Sequence, residues 1–254
     1  MDEQTTATVP PAPAAVTSLT TRIVNTFSAP SELYTEVAAA PVQATSWVVP
    51  FILSIMLAIL AVFVVFNNSS LRQQVMDVQQ EAMKQKVAEG KMSQDQADKA
   101  SEMMESGSTL FLIIGCASAG VGMVLIFFGG ALVLWLAAKV ALKFTGPYSK
   151  IMEVFGLTWF IGVIGTVITL FMMSYFGSLY AIPAPSALLT SMGTMGFAHK
   201  FLAALNIFTI WQVLVLGIGL SRVSGKSTGA GIGVSCGLWL VFVLITAALG
   251  WGNG

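Results

Sequence analysis

Five long apolar stretches run through this chain, at 47–66, 109–138, 157–182, 201–220 and 229–251, and none carries a charge in its interior. Each supplies the roughly 20 apolar residues needed to cross a hydrocarbon core about 30 Å thick. A water-soluble helix would interrupt such a run with a polar face at every turn. In lipid the backbone must satisfy its own hydrogen bonds, so the stretches read as helices. The expected fold class is all-α: a polytopic membrane protein, a five-transmembrane-helix bundle.

Composition agrees. Only 9% of residues are charged, against about 25% in soluble domains. The 12 Lys and Arg and the 12 Asp and Glu lie at or beyond the span ends. The balance is neutral, so nothing draws the chain toward nucleic acid. Cys116 and Cys236 fall inside spans without ligand spacing. The first 46 residues show no secretory signal pattern, so the first span is expected to act as the uncleaved insertion signal.

An odd number of spans places the termini on opposite sides. On the N-terminal side, Lys139, Lys143, Arg222 and Lys226 sit in short loops beside the spans. Most basic residues of the other side lie in one long segment. Lys and Arg close to span ends set orientation. These four are therefore read as cytoplasmic basic anchors in a cell (inner or plasma) membrane, with the C-terminus extracytoplasmic.

Residues 1–15, rich in Thr, Pro and Ala, have little to bury and are expected to be disordered. Residues 16–46 carry apolar positions at helical spacing, including Ile23, Phe27, Leu33 and Val37. They read as short amphipathic helices lying on the cytoplasmic membrane face. Residues 47–254 form the membrane domain. Within it, 71–106 reads as an extracytoplasmic helical hairpin: Gly90 ends one helix, and Ser93 with Gln96 makes a capping box for the next. The second span, about 45 Å long at 1.5 Å per residue, must tilt, bend near Gly129-Gly130 or extend past the membrane.

Two intramembrane constellations stand out. Gly225, Gly229, Gly233 and Gly237 recur every fourth position. This small-residue face lets helices approach closely, within the fold or with a partner. Asn206, Thr209 and Gln212 form a polar patch on one side of the fourth span. Such amides ordinarily hydrogen-bond a neighbouring helix; a substrate-contacting patch is the alternative. Gly225-Lys226-Ser227-Thr228 lacks the upstream glycine and strand of a phosphate-binding loop. No ionisable residue lies deep in a span, and no catalytic, cofactor or metal constellation appears. A non-enzyme without cofactor is expected.

Several segments together resemble the Yip family, the Ypt/Rab-interacting membrane proteins, in its prokaryotic branch. They are Phe27-Ser28-Ala29-Pro30-Ser31 with Trp47 and Pro50, then Gly90-Lys91-Met92-Ser93-Gln94-Asp95-Gln96-Ala97. Asn206-Ile207-Phe208-Thr209-Ile210-Trp211-Gln212 follows, with Gly219-Leu220-Ser221-Arg222 and Gly225-Lys226-Ser227. The resemblance covers about residues 25–250 and implies a cytoplasmic N-terminus. Eukaryotic members bind Rab GTPases. This chain lacks their Asp-Leu-Tyr-Gly-Pro signature before the first span, so Rab binding is not carried over.

The expected function is a non-enzymatic membrane scaffold or adaptor, with a membrane-protein partner or a second copy meeting its helix faces. The alternative is a carrier or channel for an uncharged small solute at Asn206 and Gln212, which requires a polar cavity at that depth.

Overall fold

The computed structural model describes residues 16–105, 109–188 and 197–248. Among them the chain forms ten α-helices and no strand. They are α1 (Leu19–Ser28), α2 (Pro30–Ala39), α3 (Thr45–Asn67), α4 (Ser69–Ala88), α5 (Gln94–Glu105), α6 (Thr109–Ala141), α7 (Tyr148–Phe176), α8 (Phe197–Ala204), α9 (Ile207–Val223) and α10 (Thr228–Ala248). Helices α3, α6, α7 and α10 are long and apolar enough to cross a membrane. The α8–α9 pair, bent by 57° at a short break, passes the same test only when its two helices are taken together, as a broken span or a re-entrant pair. The proposed disordered tail, much of the 183–200 loop and the end of the last apolar stretch lie outside the described residues.

Two spans differ from the hydropathy reading. The third begins at Tyr148 rather than 157 and ends at Phe176 rather than 182. Its 29 residues extend about 44 Å, so its first turns project beyond a hydrocarbon core and can carry Lys150 and Glu153. Gly177 ends it, with a φ of 61° and its N–H donated to the Met173 carbonyl. The left-handed cap favours glycine. The fourth span is two helices, because Asn206 starts a new one. The second, α6, is one helix through Gly129-Gly130 and on to Ala141.

Helix α7 is the most buried of the spans. It packs on α3 and α9, and α10 packs on α9. At one end of the bundle, Leu33, Tyr34 and Val37 of α2 are buried with Val154 and Leu157 of α7 and Leu220 of α9. Much of the apolar side of the 16–46 segment is thus packed against the protein itself, while Val16 and Val24 stay exposed. Beside it, Phe127 of α6 is fully buried among Trp47, Phe51, Phe155 and Trp159.

Between α4 and α5, Ser93 and Gln96 cap each other reciprocally, at 3.1 and 3.2 Å. Asp95 pairs with Lys99 at 2.7 Å. The Gln74 side chain ties α4 to the end of α7, donating to the Gly177 carbonyl at 2.8 Å and accepting from the Leu179 N–H at 3.0 Å.

The α9–α10 contact is made by Gly217 and Gly231. A Cβ on Gly217 would stand 2.5 Å from the Ile232 Cα, and one on Gly231 would collide with the Gly217 carbonyl oxygen. Both obstacles are backbone, so neither yields by rotation of a side chain. Gly231→Val is expected to cost about 1–3 kcal/mol, the usual range for overpacking, read as a lower midpoint in thermal unfolding of detergent-solubilised protein.

Candidate functional site

The broken span builds a polar site inside the bundle. Asparagine is a favoured N-cap because its side chain can accept a first-turn N–H. Asn206 does so, its Oδ1 taking the Phe208 N–H at 2.9 Å. The Ile207 N–H goes to the Pro183 carbonyl at 3.2 Å, and the Ile210 N–H to the Asn206 carbonyl at 3.0 Å. Interrupting a span is tolerated where the freed backbone groups are satisfied within the protein, as these are.

Asn206, Thr209 and Gln212 line a cleft of about 480 Å³ between α3, α7 and α9. Ser54, Thr166 and Thr169 add hydroxyls to its wall, and no charged side chain lines it. Gly162 makes room for the amide: a Cβ there would stand 3.0 Å from the Gln212 Oε1. No described residue hydrogen-bonds the Gln212 carboxamide or the Thr209 hydroxyl. The expected interhelical hydrogen bond is therefore absent. Asn206 caps its own helix, and Gln212 faces the cleft unpaired.

The glycine face needs a different correction. A Cβ on Gly229, Gly233 or Gly237 would meet nothing within 4 Å. These three are exposed on α10, so they do not pack within the fold. Gly225 lies in the α9–α10 turn with a φ of 61°. The intramolecular contact belongs to Gly231 and Ser235, two positions out of register with the predicted face and so on the opposite side of the helix.

The basic anchors gather at the end of the bundle that carries α1 and α2. The Lys139 ammonium lies 4.1 Å from the Trp135 ring centroid. Arg222 donates to the Ser31 hydroxyl at 2.5 Å. Lys143 and Lys226 are exposed. Lys143 has a φ of 55°, a conformation that favours glycine and costs other residues about 1–2 kcal/mol.

At the same end stands a charge cluster that sequence reading did not single out. Arg22 of α1 is 1% exposed and Glu153 of α7 is fully buried. They meet at 2.7 Å. Arg22 also donates to Glu36 of α2 at 2.9 Å and to the Ser46 hydroxyl at the start of α3 at 3.1 Å. Glu153 accepts further from Lys150 at 2.8 Å and the Gln43 N–H at 3.1 Å. The Lys150 ammonium completes its three bonds on the Val37 and Ala40 carbonyls, at 2.8 and 3.0 Å. Those carbonyls are orphans of the C-terminal end of α2, where a cation is favoured. Two positive and two negative side chains thus close into a neutral quartet joining α1, α2, α3 and α7.

Burial pushes the Glu36 carboxyl up. The hydrogen bonds from Thr17 and Arg22, with the Arg22 charge, outweigh that effect and hold it below its ordinary range. Burial, reinforced by the nearby Glu153 charge, pushes the Tyr34 hydroxyl far above its usual range, so it stays neutral.

Several apolar helices around a packed interior, with charge only at the ends, define an integral, polytopic helical membrane protein. The Yip1 domain family matches residues 24–249, and the chain belongs to that family. It is also similar to membrane protein YknW of Bacillus subtilis (strain 168), with 28% identity over 141 residues, covering 55% of this chain and 59% of that protein. The chain thus matches about three fifths of the length of this curated relative. No solved structure matches.

Arg22→Ala removes one partner from buried carboxylates and is expected to cost about 3–5 kcal/mol, measured by denaturation in detergent. A second outcome concerns acid. A carboxyl depressed in the folded state stabilises above its unfolded value of about 4.3 and ceases to as pH falls through its folded value. Limited proteolysis between α1 and α3 is therefore expected to rise below about pH 4. In Glu36→Gln that acid-dependent increment is expected to shrink.

Proposed function

We propose that this protein is a non-enzymatic membrane scaffold that receives a transmembrane helix, from a partner protein or a second copy, on the open glycine face of α10. The observation that carries the reading is the empty space above Gly229, Gly233 and Gly237. Larger apolar side chains cover much of the rest of the lipid-facing surface, such as Val241, Leu244 and Ile245 further along α10. In lipid, close backbone approach and van der Waals contact drive helix association, and small residues permit both. α10 has two such faces, and the fold consumes only the one at Gly231 and Ser235.

The quartet supports the same reading from the water side, because it makes α1 and α2 a fixed platform. We place that platform in the cytoplasm of the cell membrane, since Lys139, Lys143, Arg222 and Lys226 cluster at its end of the spans. The opposite end, with α4 and α5, is extracytoplasmic in this reading.

Gly233→Leu separates assembly from folding. The site has room for the side chain, so the unfolding midpoint should stay within the small range of surface substitutions, about 0.5 kcal/mol. Crosslinked co-purification from native membranes should lose the complex seen with the unaltered chain. Retention of that complex in Gly233→Leu would refute the scaffold face.

A further inference from the structure

A second chamber adjoins the cleft beneath the broken span, and different polar side chains line the two. The first carries the unpaired Gln212 carboxamide, the Thr209 and Thr169 hydroxyls and Asn206. The second, of about 320 Å³, is walled chiefly by apolar residues including Val65, Val75, Val78 and Leu179, with Tyr180 and His199 as its polar exceptions. Ala61, Leu170 and Met173 line both, so the chambers adjoin toward the C-terminal ends of α3 and α7. Each volume falls in the range of small-molecule pockets, about 300–1,000 Å³.

From this polar compartment opening onto an apolar slot, we infer a binding site for an uncharged, hydroxylated single-chain amphiphile of the monoacylglycerol class. The head lies against Gln212 and Thr209, and the acyl chain runs between α3 and α7 toward α4. Each requirement has its cause in the wall. Gln212 offers a carbonyl oxygen and two N–H donors, and Thr209 a hydroxyl that both donates and accepts; a head with neighbouring hydroxyls answers both. In low-dielectric surroundings polar groups without partners are costly, so a ligand hydroxyl gains what the protein leaves unsatisfied. No charged side chain lines the first chamber; Lys200 lines a third chamber that shares Asn206 and Thr209 with it, so competition by fatty acid is what decides for a neutral head. The second chamber, with mostly apolar side chains in its wall, takes a chain; the buried His199 Nδ1, without a hydrogen-bond partner among the described residues, is a polar site left at its edge.

The test uses the full-length protein in phosphatidylcholine nanodiscs, with a photoreactive, alkyne-tagged monoacylglycerol as probe. Saturable labelling is expected, mapping to peptides that contain Leu170–Met173 or Asn206–Gln212. Gln212→Leu, a substitution by an apolar side chain of similar size, should lower labelling at least tenfold, and Thr209→Val should lower it severalfold. Phe171→Leu on the lipid-facing side of α7 should leave it unchanged. Unlabelled fatty acid of equal chain length should compete at least tenfold less well than unlabelled monoacylglycerol. Gly233→Leu should label normally, which keeps this site separate from the scaffold face. The inference is overturned by labelling that is unsaturable, that survives both Gln212→Leu and Thr209→Val, or that fatty acid blocks equally well. If Gln212→Leu fails to fold, Thr209→Val decides, and unchanged labelling in it counts against the site.

Discussion

A single carboxylate organises one end of this molecule. Glu153 is fully buried, and an unpaired charge there would carry a desolvation cost of several kcal/mol. Arg22 and Lys150 supply the opposite charges, and each is committed elsewhere as well. Arg22 holds Glu36 and Ser46, and Lys150 caps the end of α2. Helices α1, α2, α3 and α7 are therefore placed by the need to surround Glu153. An apolar cluster of equal volume can be as stable, but it lacks directional bonds. The quartet fixes which turn of α1 faces which turn of α7.

Within the lipid the organising chemistry changes from charge to size. Lipid tails are as apolar as the side chains, so helices gain little by leaving them and associate through closeness of fit. At Gly156 a Cβ would collide with the Trp47 backbone, and Gly217 and Gly231 make the same demand between α9 and α10. These contacts hold α3 and α10 to the central pair α7 and α9. An α-helix offers several faces, and a glycine every fourth residue marks only one of them. On α10 the more regular stripe lies free, and the less conspicuous pair Gly231 and Ser235 is packed.

This contrast shows what could be read from residues alone. Uninterrupted apolarity located four spans and the bent α8–α9 pair, and the Ser93–Gln96 cap located the start of α5, because both signals are local. The charge quartet is not local: Arg22 and Glu153 are 131 positions apart. Only the Lys150–Glu153 pair, three positions apart, is local enough to read from sequence, and it does not reveal Arg22. The break at Asn206 left a trace that uniform hydropathy hid, since an asparagine inside an apolar run is an N-cap residue as well as an intramembrane amide. What completes it is the Pro183 carbonyl, delivered by a connection whose path the local pattern does not specify.

The two ends of the bundle are consequently unlike. Around α1 and α2, buried apolar residues and the quartet together restrain every neighbouring helix. At the other end α4 and α8 bury few side chains, chiefly Leu71, His199 and Ala203. Individual hydrogen bonds hold this end, from Gln74 of α4 to the end of α7 and from Ile207, at the start of α9, to Pro183. Local stability follows buried contact, so this end opens at lower free energy than the platform. The cleft lies against that weaker half, on the helix that begins at the break. A ligand seated there bonds to Gln212 and Thr209 of α9 while touching α3 and α7, which the quartet holds. It would therefore tighten the loose half against the fixed one, and the free energy for that ordering would come from polar groups the protein leaves unpaired.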